Sequence, residues 1–273
     1  MALRPPDLPD YEAPPVDEVI LGVQYAPILG SDTVLSSYSA SIASDYPNVQ
    51  YYPRIETPIE QLSNELPFLP VQIQFPFAPQ NLTGRTWLVS SDDSLIIQIQ
   101  NDRFMHNWRR RASEYPRFEF LVQRFWERYE MYRAALAEAG QQRPQPLQLE
   151  VSYVNWIVDQ TISEFFRPGA AANVQIRGVD RYPEQQQWAG SYLARDESQP
   201  LARLTLICGA AMRLVPQPER GTQFQLTFKA PLQPSATDDQ IKELALVGRD
   251  TIVRAFTDLT TAPSHRRWGR TDV

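Results

Sequence analysis

Alternation of apolar and polar side chains at a period of two is the feature that most constrains how this chain folds. Residues 147–158 show it clearly, since Leu149 and Val151 alternate with Gln148 and Glu150. A period of two places successive side chains on opposite faces of a strand and is typical of half-buried sheets. Most of the links between such segments are too short for helical crossovers, so the sequence predicts antiparallel sheets.

Further segments carry the same alternation or a β-branched and aromatic composition typical of strands. They are residues 16–25, 71–75, 85–90, 95–104, 187–194, 202–214 and 222–230. A polar turn at residues 91–94 indicates that the two strands flanking it form a hairpin. Residues 34–43 are the one short segment that fits a helix better than a strand.

Two long segments repeat apolar side chains at helical spacing instead. The first, residues 115–140, carries one continuous apolar stripe and ends at Gly140, a residue favoured after helix C-termini. The second, residues 237–259, opens with Thr237 and Gln240 at the spacing of a capping box. Both segments are therefore predicted to be amphipathic helices that pack against a core.

Together these patterns predict an α+β fold in which antiparallel sheets are each covered by one long amphipathic helix. Residues 1–15 are rich in proline and are expected to be a flexible N-terminal tail. Residues 16–158 and 159–273 each run from strands to a helix, so we expect two α+β halves that pack as one unit. The shared order suggests pseudo-repeated halves, although no residue-level identity between them supports a duplication.

Composition excludes several classes of function. The 273-residue chain has a formal net charge of −6, which argues against a surface that binds polyanions as a whole. One cysteine, Cys208, cannot build a disulfide framework, and two histidines are too few for the usual structural zinc sites. No nucleotide, metal or nucleophile motif is present, so we predict no cofactor, no metal and no catalytic activity. Without a signal peptide or a long apolar run, we expect a cytoplasmic protein that does not bind membranes.

Two clusters combine histidine, arginine and tryptophan. The first consists of His106, Trp108, Arg109, Arg110 and Arg111, and the second of His265, Arg266, Arg267, Trp268 and Arg270. Arginine beside tryptophan can pair with phosphate or carboxylate groups and stack on bases. If the two halves pack pseudo-symmetrically, the clusters would form one anion-binding or partner-binding patch. The alternative is that each is a solvated run at the end of an element.

The first long helix carries more large apolar side chains than one stripe requires. Phe120, Trp126 and Met131 lie off the stripe. The helix is therefore either buried on two sides within this chain or meets a partner protein or a second copy.

Two residues on predicted strands are further candidate contacts with a partner. Glu18 belongs to the first strand, and Asn155 places an amide on an otherwise apolar strand face. The ordinary interpretation of both is structural. A carboxylate site built from Glu18 and Glu150 is the enzymatic alternative.

Four segments are similar to a known family. They are PPVDEVILGVQY at residues 14–25, YPRF at 115–118, LEVSYVN at 149–155 and the closing Trp268-Gly269 pair. They resemble an uncharacterised, sporadically distributed family of bacterial and archaeal proteins of similar length, and the resemblance spans nearly the whole chain. It implies no catalytic residue. Sporadic distribution implies an accessory gene of the kind found in defence islands and toxin–antitoxin pairs.

The predicted function is that of a non-enzymatic accessory interaction protein. Its partner would be a protein encoded by an adjacent gene in a toxin–antitoxin or phage-defence system, or a second copy in a homodimer. The alternative prediction is a component that binds RNA or DNA through the two arginine and tryptophan clusters.

Overall fold

The computed structural model describes residues 4–62, 84–111, 114–171, 186–213 and 217–271. Within these ranges the chain forms strands and helices that follow most of the predicted segments. In chain order they are β1 (Val16–Tyr25), α1 (Asp32–Ser41), β2 (Asn48–Tyr52), β3 (Arg85–Val89), β4 (Leu95–Gln100), β5 (Arg103–Arg109), α2 (Phe118–Glu138), β6 (Pro146–Ile157), α3 (Ile162–Phe165), α4 (Arg167–Ala171), β7 (Gln187–Asp196), β8 (Gln199–Arg213), β9 (Glu219–Pro231), α5 (Asp238–Leu259) and α6 (Ala262–Arg267).

All the described strands belong to one antiparallel sheet with the order β2-β3-β4-β5-β1-β6-β9-β8-β7. The first strand lies at its centre, because β1 pairs with β5 on one side and with β6 on the other. The predicted fold class is therefore wrong. The described residues form a single large sheet that runs through both halves, not separate sheets that each have a covering helix.

The error has a physical cause. Alternation along a strand shows which side chains share a face, but it does not show which strand lies beside it. The pairing of β1 with β6 extends from Val16 opposite Asn155 to Tyr25 opposite Pro146, although β2 to β5 and two helices lie between these strands in the chain. Such a non-local pairing leaves no local sequence signal.

Both long helices lie on the same face of the sheet. Helix α2 contacts β1 and β5, while α5 contacts β6 and β9. Beneath them, Leu21, Val151 and Phe228 are neighbours across β1, β6 and β9, and all three are buried. The hydrophobic core thus fills the space between the sheet and this helical layer.

The opposite face of the sheet is polar and is crossed by residues 53–62, which we call the strap. Gln24 Nε2 donates a hydrogen bond to the Thr57 carbonyl at 3.0 Å, and Glu60 N donates to Gln148 Oε1 at 2.8 Å. These bonds fix the strap across β1 and β6. The strap explains why polar side chains occur on this face and are nevertheless enclosed.

Two predicted segments differ locally from the structure. The predicted strand 95–104 is a hairpin, because a turn at Asn101 and Asp102 separates β4 from β5. As a result, the first basic cluster begins within a strand and not in a loop. The predicted strand 71–75 lies outside the described residues.

The N-terminal residues make specific contacts with the end of the chain. Leu8 and Tyr11 are buried, and Tyr11 forms a β-bridge with Arg270. The Glu12 amide also donates a hydrogen bond to the Gly269 carbonyl at 2.9 Å. Residues 4–15, predicted to be part of a flexible tail, therefore lie against the C-terminal segment.

Candidate functional site

The aromatic and imidazole groups of the first basic cluster lie in the core. His106 and Trp108 are both 2% exposed and point towards the helical layer. His106 Nε2 and the Tyr46 hydroxyl are hydrogen bonded at 2.8 Å. Burial lowers the pKa of His106 to about 3. The imidazole is therefore a neutral structural group.

This burial makes the stability of the fold depend on pH. The folded His106 has a pKa of about 3, whereas an imidazole in the unfolded chain takes a proton near pH 6.5. Only the unfolded state gains a proton between these values. Its contribution therefore lowers the free energy of unfolding as the pH falls below about 6.5, by up to about 1.4 kcal/mol per pH unit.

Urea titrations of the wild type and of His106→Gln between pH 6.5 and pH 5.5 measure this effect. We expect the variant to lose part of the pH slope, because it removes the group that is protonated only on unfolding. Parallel slopes for the two proteins would contradict the assignment.

The three arginines of the first cluster hold other parts of the chain. Arg109 and Arg111 both contact the Asp93 carboxylate, with Arg111 Nε at 2.8 Å from Asp93 Oδ2. Arg110 Nε donates to the Val16 carbonyl at 2.9 Å. Their charges and donors are thus used to fix the β3–β4 turn and the start of β1.

The second cluster occupies the end of α6 and the residues that follow it, and its imidazole and indole groups are buried. His265 is buried and lies 2.8 Å from the Thr260 hydroxyl, while the buried Trp268 ring lies 5.1 Å from the ring of Phe256. Arg267 donates to the Asp159 carbonyl at 3.1 Å. Of the remaining members, Arg266 is exposed and Arg270 pairs with the N-terminal segment through the β-bridge described above.

The N-terminal segment lies between the two clusters. Tyr11 forms a β-bridge with Arg270 of the second cluster. Arg110 of the first cluster donates a hydrogen bond to the Pro14 carbonyl at 3.1 Å. The geometry therefore gives no support to one joint anion-binding patch. Nucleic-acid binding through these clusters stays a prediction.

Glu18 and Asn155 both have internal partners. Asn107 Nδ2 donates to Glu18 Oε1 at 2.7 Å, and loss of hydration raises the pKa of Glu18. Asn155 is buried, and its Nδ2 donates to the Phe224 carbonyl at 3.0 Å. The partly buried Glu18 and the buried Asn155 are thus both hydrogen bonded within the fold, as the structural interpretation requires.

Glu18 and Glu150 share the polar face but do not meet. Glu150 pairs across the sheet with Gly22, four positions along β1 from Glu18. At a rise of roughly 3.3 Å per residue the two positions are about 13 Å apart. Glu150 is instead 3.7 Å from Lys229. The placement gives no support to a two-carboxylate catalytic site.

The additional large side chains of α2 lie in two different environments. Phe120 is 43% exposed and Met131 is 36% exposed, both on the side of the helix away from the sheet. Trp126 is only 7% exposed and is directed towards α5, where Lys242 Nζ lies 5.2 Å from its ring centroid. Trp126 is therefore the member of this group that contributes to a cavity.

A groove of about 650 Å³ opens between α2 and α5. The helices are bridged on either side of it. Glu119 pairs with Arg249 at 2.6 Å, and Arg133 bonds Asp238 at 2.8 Å while also contacting Glu130. Because the start of α2 meets the second half of α5, the two helices run antiparallel. We call the space between these bridges the interhelical groove.

The interhelical groove has an apolar floor and a charged rim. It is lined by Val122, Gln123, Trp126, Glu127 and Glu130 of α2 and by Asp239, Lys242, Glu243 and Leu246 of α5. Val122 is 4% exposed and Leu246 is partly buried, so the floor is firmly packed. A volume of this size is typical of ligand pockets and of grooves that accept side chains from a partner.

Four carboxylates line the interhelical groove, against one ammonium group. Glu127 is 3.4 Å from Arg124, and Asp239 is 3.2 Å from Lys242. Glu243 makes no ion pair with any described residue. Ion pairs this exposed contribute little to stability, so cations of a partner can replace the internal ones at small cost. The rim therefore favours a positively charged partner.

A second hollow, of about 720 Å³, lies where α2 ends and α5 begins. Prolines and polar side chains line most of it beside Tyr129 and Ile241, and its two arginines, Arg133 and Arg143, already pair with Asp238. Its charges are thus already paired, whereas the interhelical groove has carboxylates in excess, so the interhelical groove is the better candidate site.

The described part of the chain holds no candidate metal site and no reactive thiol. No group of three or more His, Cys, Asp or Glu side chains there could hold a metal ion. Cys208 is buried, and burial raises the pKa of its thiol to about 12. None of the described helices has the length and apolar character that a membrane span requires.

Sequence reasoning identified one wall of the interhelical groove but not the other. The position of Trp126 off the apolar stripe of α2 was the available signal. Nothing in the sequence indicated that α5 would face it, because that depends on the order of strands in the sheet. No protein-family model matches the chain, and no curated protein resembles it in sequence. The resemblance to a sporadically distributed family is neither supported nor excluded by these comparisons.

Proposed function

We propose that the protein is an interaction module that binds a partner protein through the interhelical groove. The partner supplies an amphipathic helix whose apolar side chains enter the groove and whose lysine or arginine side chains meet its rim. Such a helix would lie beside α2 and α5 as a third helix, a common mode of peptide recognition. The observation that carries the proposal is an apolar floor around Trp126 beneath a rim with excess carboxylates.

The floor supports the choice of an apolar anchor. Trp126 and Val122 are held by the core beneath them, and Trp126 packs against Phe125 at a ring distance of 5.3 Å. A rigid aromatic surface loses little conformational entropy when a partner covers it. Tryptophan is also enriched among residues that dominate binding energy at interfaces.

The rim supports the choice of a basic partner. Its carboxylates stand on both sides of the groove, with Glu127 on α2 and Glu243 on α5. Complementary charge speeds association and discriminates against acidic partners more than it adds affinity. We therefore expect binding that weakens as salt concentration rises.

The same proposal includes a biological setting. The protein would act in the cytoplasm as an accessory component of a toxin–antitoxin or phage-defence system, and its partner would be encoded by an adjacent gene. The family resemblance motivates this setting. A free thiol at Cys208 is compatible with a reducing compartment. The absence of catalytic activity remains a prediction.

A synthetic probe tests the proposal without knowledge of the natural partner. The probe is a fluorescent amphipathic peptide of leucine and lysine at helical spacing, measured by anisotropy. We expect it to bind at least tenfold more tightly than a matched peptide in which glutamate replaces lysine. The double variant Glu127→Lys/Glu243→Lys should weaken binding of the basic peptide at least tenfold, or by about 1.4 kcal/mol.

The matched control separates the groove from overall charge. Glu138→Lys/Asp258→Lys makes the same change in net charge on exposed positions of the same two helices, outside the groove. It should leave binding within about twofold of wild type, a shift of about 0.4 kcal/mol. Equal losses in both double variants, or no preference for the basic peptide, would contradict the proposal.

A further inference from the structure

The ten-residue strand β7 forms one edge of the sheet. It pairs with β8 along one side, and the strand order ends there. No described strand pairs with its other side. The backbone donors and acceptors of an edge strand are a template for pairing with another chain, so proteins usually protect such edges.

β7 lacks the usual protection. The strand contains neither lysine nor proline, and its side chains from Trp188 to Ala194 are uncharged. Its only irregularity is a register shift between Ala194 and Arg195, close to its end. Tyr192 on the strand is 51% exposed, and Ile207 on the neighbouring strand is 47% exposed. The edge therefore offers both backbone groups and apolar surface.

The opposite edge of the sheet differs from it. β2 has five residues, and Pro47 and Pro53 flank it on either side. A short strand between prolines is a poor template for pairing. The asymmetry between the two edges distinguishes β7 as the one suited to an interaction.

We propose that β7 pairs antiparallel with β7 of a second copy of this chain, in a two-fold dimer whose sheet runs continuously through both copies. The charges of the strand favour this occupant. They are confined to Arg195 and Asp196 at one end, while the other end carries the uncharged Gln187 and Trp188. In an antiparallel self-pair each charged end lies opposite the uncharged end of the other copy, so like charges never meet.

The same arrangement provides favourable contacts. A two-fold axis perpendicular to the sheet keeps every side chain on its own face, so the residue on the axis must lie opposite its own counterpart. With Ser191 opposite Ser191 of the other copy, Arg195 of each copy lies opposite Gln187 of the other. The Gln187 side-chain carbonyl can accept a hydrogen bond from the guanidinium, once at each end of the strand pair. A parallel self-pair would instead place the Arg195-Asp196 ends of both copies side by side.

Light scattering after size-exclusion chromatography tests the proposal. The chain mass is 31.3 kDa, and we expect the wild type at about 100 µM to elute as a dimer of twice this mass. Lysines on the edge, in the variant Ala189→Lys/Tyr192→Lys, should raise the dimer dissociation constant at least tenfold. A monomeric wild type would overturn the proposal, as would a variant that stays dimeric.

A control variant distinguishes edge pairing from packing of sheet faces. Ile207→Lys places the same side chain on β8, at the position opposite Ala189, where it does not obstruct the outer edge of β7. This variant should remain dimeric. If it dissociates as readily as the edge variant, the interface is the face of the sheet and the proposal fails. Circular dichroism melts of all three proteins confirm that each compared sample is folded.

Discussion

Replacing Phe104 with alanine is expected to lower the free energy of unfolding by about 4 kcal/mol. Phe104 is fully buried on β5 beneath the helical layer. Its ring lies 5.3 Å from that of Tyr129, 5.4 Å from Tyr132 and 5.7 Å from Phe125. Truncation leaves a cavity that these rigid neighbours cannot fill, and it also removes edge and stacking contacts.

Urea denaturation gives the measurement, with Phe120→Ala as the matched control. Phe120 lies on α2 and is 43% exposed, so its loss should change the free energy of unfolding by about 0.5 kcal/mol or less. Equal destabilisation by the two substitutions would show that β5 does not lie under the helices as described.

Removing the guanidinium of Arg249 is the second large perturbation. Arg249 is 2% exposed, and it bonds Glu119 at 2.6 Å and Asp250 at 2.5 Å. Its guanidinium carbon also lies 5.7 Å from the ring centroid of Phe118. Arg249→Ala leaves two carboxylates without their buried partner. We expect a loss of about 3 kcal/mol, the lower end of the range for broken buried pairs, because both carboxylates retain some contact with water.

Two comparisons test this explanation. Arg254→Ala removes an exposed arginine that bonds Asp7 at 2.7 Å, and we expect it to cost less than about 1 kcal/mol. Arg249→Met combined with Glu119→Gln replaces the α2–α5 ion pair by uncharged groups and should recover part of the loss. If Arg249→Ala lowers the free energy of unfolding no more than Arg254→Ala does, then the pair of Arg249 with Glu119 does not stabilise the packing of α2 against α5.

The sequence predicted those elements whose pattern is local. The stripe of Phe118, Val122 and Phe125 located α2, and the capping box at Thr237 located the start of α5, where Gln240 N donates to Thr237 Oγ1. The alternation of apolar and polar side chains predicted most strands, with bounds that lie within a few residues of those observed. These signals survive because each depends on residues that are close in the chain.

The sequence did not predict β5 as a separate strand, because both of its faces carry polar groups. His106 faces the core and Asn107 faces the enclosed polar side, yet both are nearly fully buried. The contrast between apolar and polar positions, on which strand prediction depends, is therefore lost. The polar face is enclosed in part by the strap, and no local rule predicts that residues 53–62 would cross strands at Gln24 and Gln148.

The interhelical groove shows the same division between local and non-local information. The sequence placed Trp126 off the stripe and so indicated that α2 has a second neighbour. Only the strand order, in which β1 and β6 join the two halves, places α5 alongside it. A site formed by two distant helices therefore cannot be read from either helix alone.

Hydrogen exchange with mass spectrometry shows directly whether the interhelical groove is the binding surface. The protein is exchanged with and without a saturating amount of the basic leucine and lysine peptide. We expect the peptide to add protection only in the turns of α2 around residues 122–130 and of α5 around residues 239–246. This protection should be lost in Glu127→Lys/Glu243→Lys. Protection on the sheet strands with none on these two helices would contradict the proposed binding surface.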